Sequence, residues 1–384
     1  MPLDMTSTRP LASAPLGLLI VLVGALGAGT VFAQASRVTT EVVARGLQNP
    51  WALAFIGEGR MLVTERPGRM RVVGADGRLG PPLAGVPEVD AVGQGGLLDL
   101  ITDRDFARNR TVHFCYSEAG TLGIGNSTAM ASARLSADAS ALEDVKVVFS
   151  QKPKVGSRLH FGCRIVQAGD GSLFLALGDR YTRMADAQTL DTHHGKVVRV
   201  RADGSAHPDN PFVGRSGALP EIWSLGHRNP QAATLGPDGR LWVIEHGPQG
   251  GDEINRPEAG KNYGWPVITY GENYGGGTIG EGLTSKAGLE QPLHYWKPSI
   301  APSGMAFVKS DRYGKDWQGS LLVGSLKFRY LARLVLDGER VLREDRLLPD
   351  LGQRVRDVRE GPDGLIYLLT DERDGQLLRL KPGG

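Results

Sequence analysis

Two cysteines among 384 residues are too few for a disulfide framework and cannot build a four-thiolate zinc site. An excess of one charge is missing as well: 44 Lys and Arg stand against 42 Asp and Glu, a formal net charge of +2. That balance argues against nucleic acid or an anionic membrane surface as the main partner. No apolar run beyond residue 35 is long enough to cross a bilayer. There is no GxSxG elbow, no P-loop and no HExxH, and none of the glycine clusters opens a βαβ unit. Those gaps argue against a serine hydrolase, an NTPase, a zinc protease and a nicotinamide dehydrogenase. Long amphipathic periodicity, the mark of helices between strands, is also absent.

What the chain has in quantity is glycine, 53 residues, with 23 prolines and no collagen-like period. Glycine without such a period serves turns, and a long chain full of turns points to many short strands.

The first segment reads as a secretory signal, Met1 to about Ala35. Arg9 gives a weakly basic start, LGLLIVLVGAL at 16–26 is uninterruptedly apolar, and Val31-Phe32-Ala33 or Ala33-Gln34-Ala35 suits a signal peptidase. A retained membrane anchor is the alternative, but the apolar stretch is short for a span of about 20 residues. Cleavage predicts a soluble exported protein, periplasmic or secreted. Export leaves Cys115 and Cys163 in an oxidising compartment. They could pair if the fold brings them together; the expectation is two separate buried thiols.

The remaining chain, 36–384, repeats. An apolar strand, a Gly/Asp turn and a second apolar strand recur at 51–73, 163–179, 230–247 and 355–380. The turns are Gly57-Glu58-Gly59, Asp170-Gly171, Asp238-Gly239 and Asp363-Gly364. Asp-Gly between apolar runs is a hairpin signal, because glycine supplies the positive φ of the tight turn. Degenerate copies at 97–118 and 303–326 fill the two wide gaps. Six units of roughly 50–70 residues predict one all-β domain, a six-bladed β-propeller. A pair of β-sandwiches explains the repeat less well.

Polar clusters stand between the repeats, where a propeller carries its functional loops. They are Gln94-Gly95-Gly96, Leu159-His160-Phe161-Gly162, Gly226-His227-Arg228-Asn229, the loop from Glu245 to Glu253, Asn262-Tyr263-Gly264-Trp265, Ser325-Leu326-Lys327 and Arg354-Val355-Arg356-Asp357. His160 could act as a general base, since imidazole titrates near neutrality; the plainer reading is a hydrogen-bonded loop histidine. Arg228, Lys327, Arg354 and Arg356 could converge on an anionic ligand, or be solvated strand-end charges. The loop Gly247–Glu253 offers carbonyl and carboxylate oxygens that suit calcium, although EF-hand spacing is absent; an ordinary Gly-rich turn is the alternative.

In series, GHRNPQ at 226–231, EHGPQGGDEIN at 245–255, KNYGWP at 261–266, PSGMAF at 302–307 and RVRDV at 354–358 resemble the aldose sugar dehydrogenase branch of the glucose/sorbosone dehydrogenase family. The resemblance runs from Gly46 to Glu372. It implies a six-bladed propeller that binds pyrroloquinoline quinone (PQQ) and calcium, and that oxidises aldoses at C1 to lactones. It implies His160 as general base, Gln94 near the reacting carbon, and Arg228 supporting negative charge on a quinone oxygen. Asn229, Tyr274, Ser325, Lys327, Arg354 and Arg356 would hold the cofactor. Gly247 and Pro248 would bind one calcium through their carbonyls, and Glu253 and Tyr263 a second, structural one. Cys163 departs from the family, which usually has a small residue after Gly162. The chain also lacks the long inserted loops of glucose-specific members, which implies an open cleft, broad aldose specificity and a monomer. The electron acceptor is not specified. The rival readings are a calcium-dependent sugar lactonase and a non-catalytic binding propeller.

Overall fold

A computed structural model describes residues 38–383, so the segment read as a secretory signal lies outside the described residues. Among the described residues, 24 strands form six four-stranded antiparallel sheets, a six-bladed β-propeller as the repeat predicts. The strand β1 (Thr39–Leu47) comes first in the chain but belongs to the last blade. Blade 1 is β2 (Pro50–Phe55), β3 (Met61–Glu65), β4 (Arg69–Val73) and β5 (Leu79–Pro82). Blade 2 is β6 (Leu97–Thr102), β7 (Thr111–Ala119), β8 (Asn126–Leu135) and β9 (Leu142–Ser150). Blade 3 is β10 (Gly162–Gln167), β11 (Leu173–Leu177), β12 (Lys196–Val200) and β13 (Ile222–Leu225). Blade 4 is β14 (Pro230–Leu235), β15 (Leu241–Glu245), β16 (Asp252–Asn255) and β17 (His294–Trp296). Blade 5 is β18 (Pro302–Phe307), β19 (Leu321–Ser325), β20 (Leu331–Asp337) and β21 (Arg340–Leu347). Blade 6 is β22 (Val355–Glu360), β23 (Ile366–Thr370) and β24 (Gly375–Lys381), completed by β1, whose Thr39 lies opposite Lys381. The N-terminal strand thus closes the ring and covers an edge that would otherwise stay open.

The second strand of a blade is buried on both faces because blades pack against it from either side. MLVTE in β3, LFLAL in β11, LWVIE in β15 and IYLLT in β23 accordingly read as apolar runs without alternation. Outer strands such as β21 are exposed or half-buried along most of their length, with only Leu347 buried. Each repeated Asp-Gly turn works the same way. Gly171, Gly239 and Gly364 have φ of 84°, 75° and 76°, and the preceding aspartate accepts the N–H two residues on, from Ser172, Arg240 and Leu365.

The first strands neighbour one another around the axis, and buried charge ties them together. Arg164 of β10 donates through Nη1 to Asp99 of β6 and to Asp357 of β22, both at 3.0 Å. Its Nε donates to the Gln231 carbonyl of β14 at 2.5 Å, and its guanidinium lies 4.1 Å from the Trp51 ring of β2. Arg359 donates to the same two carboxylates, at 2.8 and 2.9 Å. Asp99 also accepts Ile165 N–H, and Asp357 accepts Leu53 N–H. Ser303 Oγ of β18 donates to the Val355 carbonyl, which brings in the remaining blade.

Cys115 of β7 and Cys163 of β10 are joined in a disulfide, with Cα atoms 5.9 Å apart. This corrects the expectation of two separate thiols. The neighbouring blades 2 and 3 bring together residues 48 apart in sequence. No thiol is therefore present beside the site. Among the described residues no helix is long and apolar enough to cross a membrane.

Arg164→Met leaves two buried carboxylates with a single guanidinium. Removing one partner of a buried ionic network costs about 3–5 kcal/mol. Chemical denaturation should show a loss of that order, and an unchanged midpoint would remove the central network from the account of stability.

Candidate active site

In each antiparallel hairpin the start of the first strand lies beside the end of the second. One rim of the ring therefore collects the residues just before β6, β10, β14 and β22 and just after β11, β15, β19 and β23. Gln94, His160, Arg228, Asn229, Gly247, Lys327 and Arg354 all fall there. All six first-to-second strand pairings also carry a register irregularity at this rim, between Pro50 and Ala52 in blade 1 and at the matching place in every other blade. An extra residue there bends the strand and re-aims its side chains. In blade 3 it spans Gly162 and Cys163, both left-handed with φ of 68° and 79°, and turns Arg164 toward the axis.

A cavity of about 240 Å³ opens at this rim. Gln94, Phe161, Gly162, Asn229, Arg354 and Arg356 line it, and Trp51, Arg66, His246 and Asp371 complete its wall. His160 and Arg228 stand just behind it; their neighbours Phe161 and Asn229 form the surface.

His160 is 5% exposed. Its Nδ1 lies 2.7 Å from Asp179 Oδ1, and its N–H donates to Gln94 Oε1 at 2.8 Å. An ionised carboxylate only accepts, so Nδ1 carries the proton and Nε2 keeps a free lone pair. Asp179 is itself fixed. Trp265 Nε1 donates to its Oδ2 and Tyr181 N–H to its Oδ1, both at 2.7 Å. Burial lowers the His160 pKa, reinforced by the charge of Arg228 and opposed by the Asp179 hydrogen bond. Burial pushes the Asp179 carboxyl up, but His160, Arg228 and Tyr181 N–H bring it below its ordinary value.

Arg228 lies over the Trp265 ring at 5.2 Å. Its Nη1 donates to the His246 carbonyl at 3.1 Å and the Gly247 carbonyl at 2.6 Å. Its N–H donates to Glu245, which also holds His227 Nδ1 at 2.9 Å. Its Nε is buried without a hydrogen-bond partner. Arg356 has the same feature: Nη2 donates to Asp371 at 2.7 Å and Nη1 to Gln231 at 3.2 Å, while Nε has no partner. Arg354 reaches Asp371 at 3.3 Å. Burial raises the Asp371 carboxyl, yet Arg356, Arg354 and Arg66 outweigh it and hold it at about 2.

The other expected residues divide. Lys327 and Tyr274 face an outer basin of about 820 Å³ that shares Ala301 and Arg354 with the inner cavity. Ser325 is fully buried, donates to the Ile300 carbonyl and accepts Phe328 N–H, and is not among the residues lining the cavity. The Tyr263 hydroxyl donates to the Arg256 carbonyl and accepts Glu258 N–H, which leaves its main-chain oxygen as the atom to offer a cation. Sequence reasoning assigned no role to Asp179, Trp265 and Asp371. The available signal was positional: an acidic residue follows the second strand of a repeat within two positions, in LGD at 177–179 and TD at 370–371.

The unpaired Nε atoms of Arg228 and Arg356, with Arg354 beside them, fit an anionic ligand carrying several carboxylates. The oxygen donors near Gly247 and Glu253 are of the type a hard cation takes. Gly247 O accepts Arg228, but a carbonyl has a second lone pair for a hard cation. At Glu253, burial and the like charges of Glu245 and Asp252 raise the carboxyl well above its usual range, and the nearby Asn255 Oδ1 is buried without a partner. Both features suit a cation. No group of three or more His, Cys, Asp or Glu suited to a metal occurs among the described residues.

The family model described as Glucose / Sorbosone dehydrogenase matches residues 47–379. Aldose sugar dehydrogenase YliI of Escherichia coli (strain K12) is 48% identical over 355 residues, covering 92% of this chain and 95% of that protein. The crystal structure of the soluble aldose sugar dehydrogenase from Escherichia coli in the apo-form superposes with a TM-score of 0.86 at 47% identity, over 90% of this chain and 99% of that one. The PQQ-bound form of aldose sugar dehydrogenase from Streptomyces coelicolor superposes at 0.72 with 27% identity, over 90% and 99%.

A histidine whose pKa is lowered stays neutral, and so a competent base, below pH 6.5. The acid limb of kcat/KM should therefore fall below that pH, with activity lost as pH drops through the depressed value. Asp179→Asn removes the carboxylate charge and puts an amide N–H donor against either His160 Nδ1 or Trp265 Nε1, both themselves donors. It should lower kcat by on the order of 10²–10⁴, the scale of an orienting carboxylate. Wild-type kcat in that variant would show that Asp179 does not orient the base.

Proposed function

The chain belongs to the glucose/sorbosone dehydrogenase family, sugar oxidoreductases, and we propose that it oxidises aldoses at C1 to lactones with PQQ as electron acceptor and calcium as the accompanying ion. The observation that carries this reading is the His160–Asp179 pair beside a cavity walled by Arg354 and Arg356, two of whose surrounding guanidinium nitrogens lack partners. Likeness to a PQQ-bound relative supports the choice of cofactor.

His160 Nε2 takes the proton of the anomeric hydroxyl. Asp179, 2.7 Å from Nδ1, stabilises the imidazolium that forms. Trp265 and Tyr181 N–H keep the carboxylate from turning away. Bound in the cavity, the quinone supplies a two-electron acceptor for the C1 hydride. Arg228 presents a buried cation with a free Nε–H to an oxygen that gains charge, and removing such a donor typically costs a factor on the order of 100–1000. Asn229 and Gln94 bound the same space, and Gln94 Oε1 holds the His160 backbone. Arg354, Arg356 and Lys327 hold the cofactor carboxylates, with Tyr274 at the outer edge. The carbonyls of Gly247 and Pro248 would bind calcium there, and Glu253 would bind a second ion with main-chain oxygens, Tyr263 O among them. A cleaved signal over residues 1–35 would place the enzyme in the periplasm or outside the cell, as a monomer that passes its electrons to an acceptor of its own compartment.

Purified protein stripped of metal should reduce a redox dye with glucose only when both PQQ and calcium are restored. His160→Ala should retain PQQ absorbance after desalting but lose most turnover. Lys327→Ala should need more PQQ for half-reconstitution. Dye reduction without PQQ would overturn the cofactor assignment. Lactone hydrolysis with no sugar oxidation would overturn the dehydrogenase.

A further inference from the structure

Tyr181 is a large aromatic residue that the fold holds out of the core beside the proposed base. Its ring meets His160 edge-on, with centroids 5.2 Å apart and planes at 88°, yet it remains 42% exposed. Its backbone is unusual. Arg180 and Tyr181 are consecutive left-handed residues, φ 60° and 64°, and neither is glycine. A bulky residue in that region is strained and persists only where the surroundings enforce it.

The enforcement is visible. The Arg180 side chain is buried. Its Nη2 donates to Asn126 Oδ1 at 2.7 Å and to the Ser157 carbonyl at 2.8 Å, and its guanidinium lies 3.7 Å from the Phe161 ring centroid. Ser157 Oγ donates to the Arg180 carbonyl at 2.7 Å, and Asp179 accepts Tyr181 N–H. The dipeptide is therefore fastened from below by Arg180 and from the side by the carboxylate that orients His160. The strain leaves the tyrosine 42% exposed and fixes an aromatic surface beside the His160 ring.

We propose that Tyr181 is the platform against which the pyranose ring of the aldose rests while its anomeric hydroxyl meets His160. This rests on the dehydrogenase reading and deepens it to a ring-shaped sugar. The C–H face of a pyranose is apolar and its rim polar, which matches an aromatic ring with a phenol edge. Tyr181 is a substrate-positioning residue and takes no part in proton transfer.

The test uses Tyr181→Asn and Tyr181→Phe in the reconstituted enzyme. Asparagine tolerates the left-handed backbone, so the loop keeps its path while the ring is lost. Tyr181→Asn should raise KM for glucose and xylose about five- to tenfold, with kcat within about twofold. Tyr181→Phe should stay near wild type, KM for the acyclic glyceraldehyde should not move in either, and the acid limb set by His160 should stay in place. Equal KM for glucose in Tyr181→Asn and wild type overturns the platform. So does a shifted acid limb with lowered kcat at unchanged KM, which would make Tyr181 a modulator of the base. Saturation-transfer NMR with glucose reads binding without turnover: transfer to pyranose protons is expected in wild type and Tyr181→Phe and lost in Tyr181→Asn. That pattern in a protein with no dehydrogenase activity would sink the dehydrogenase reading and leave the platform standing. Turnover without that pattern would do the reverse.

Discussion

Six wedge-shaped sheets form a ring only if their first strands stay in register about an axis that no strand crosses. Buried charge supplies that register here. Arg164 and Arg359 share Asp99 and Asp357, and the same carboxylates accept main-chain N–H groups from blades 3 and 1. An apolar axis would be easier to desolvate, because a buried ionic network rarely beats hydrophobic packing in stability. Its advantage is direction. Guanidinium and carboxylate groups bond at fixed angles, so a blade that slipped by one residue would leave charges unpaired. The active rim depends on that register, because most of its residues sit within a few positions of the start of a first strand or the end of the second strand paired with it.

The same rim shows how one device serves two ends. The strand irregularities that turn Arg164 inward lie in the segments that carry His160, Arg228 and Arg356. Base and electrophile are then linked through one side chain. Trp265 donates to Asp179, which holds His160, and its ring lies under Arg228. Trp265 comes from the long connection between β16 and β17, so the site is assembled by the ring and locked by a loop laid across it. Burial, reinforced by the positive charge of Arg228, keeps the imidazole of His160 neutral, and Asp179 keeps it oriented. Two opposing influences on one pKa thus produce a base that is neutral and fixed at the same time.

The blades were readable in the sequence because each carries its own local signal: an apolar pair of strands around an Asp-Gly turn whose geometry needs no distant contact. Even the degenerate copies at 97–118 and 303–326 fall on blades 2 and 5. His160, Arg228, Arg354 and Arg356 were found by residue type and motif. The disulfide was not, because Cys115 and Cys163 meet only through the packing of neighbouring blades. Asp179 and Asp371 were passed over for a related reason. Each looks like an ordinary turn residue at a strand end, and its importance comes from partners 19 and 15 residues away, His160 and Arg356. Ser325 stands at the matching place in the chain, with its hydroxyl turned to the Ile300 carbonyl.

The cation-rich cavity also bears on stability. Three arginines surround Asp371, and its carboxyl falls from 3.8 to about 2 on folding. A depressed carboxyl stabilises the fold above its unfolded pKa and loses that contribution as pH falls through the folded value. The shift corresponds to on the order of 2 kcal/mol. One carboxylate cannot neutralise three guanidinium groups, and Arg356 keeps a buried Nε–H unused. An incoming polyanion would complete that pairing, and a ligand bound only by the folded chain stabilises it by mass action. The arrangement makes the site selective for anions before any specific contact is made.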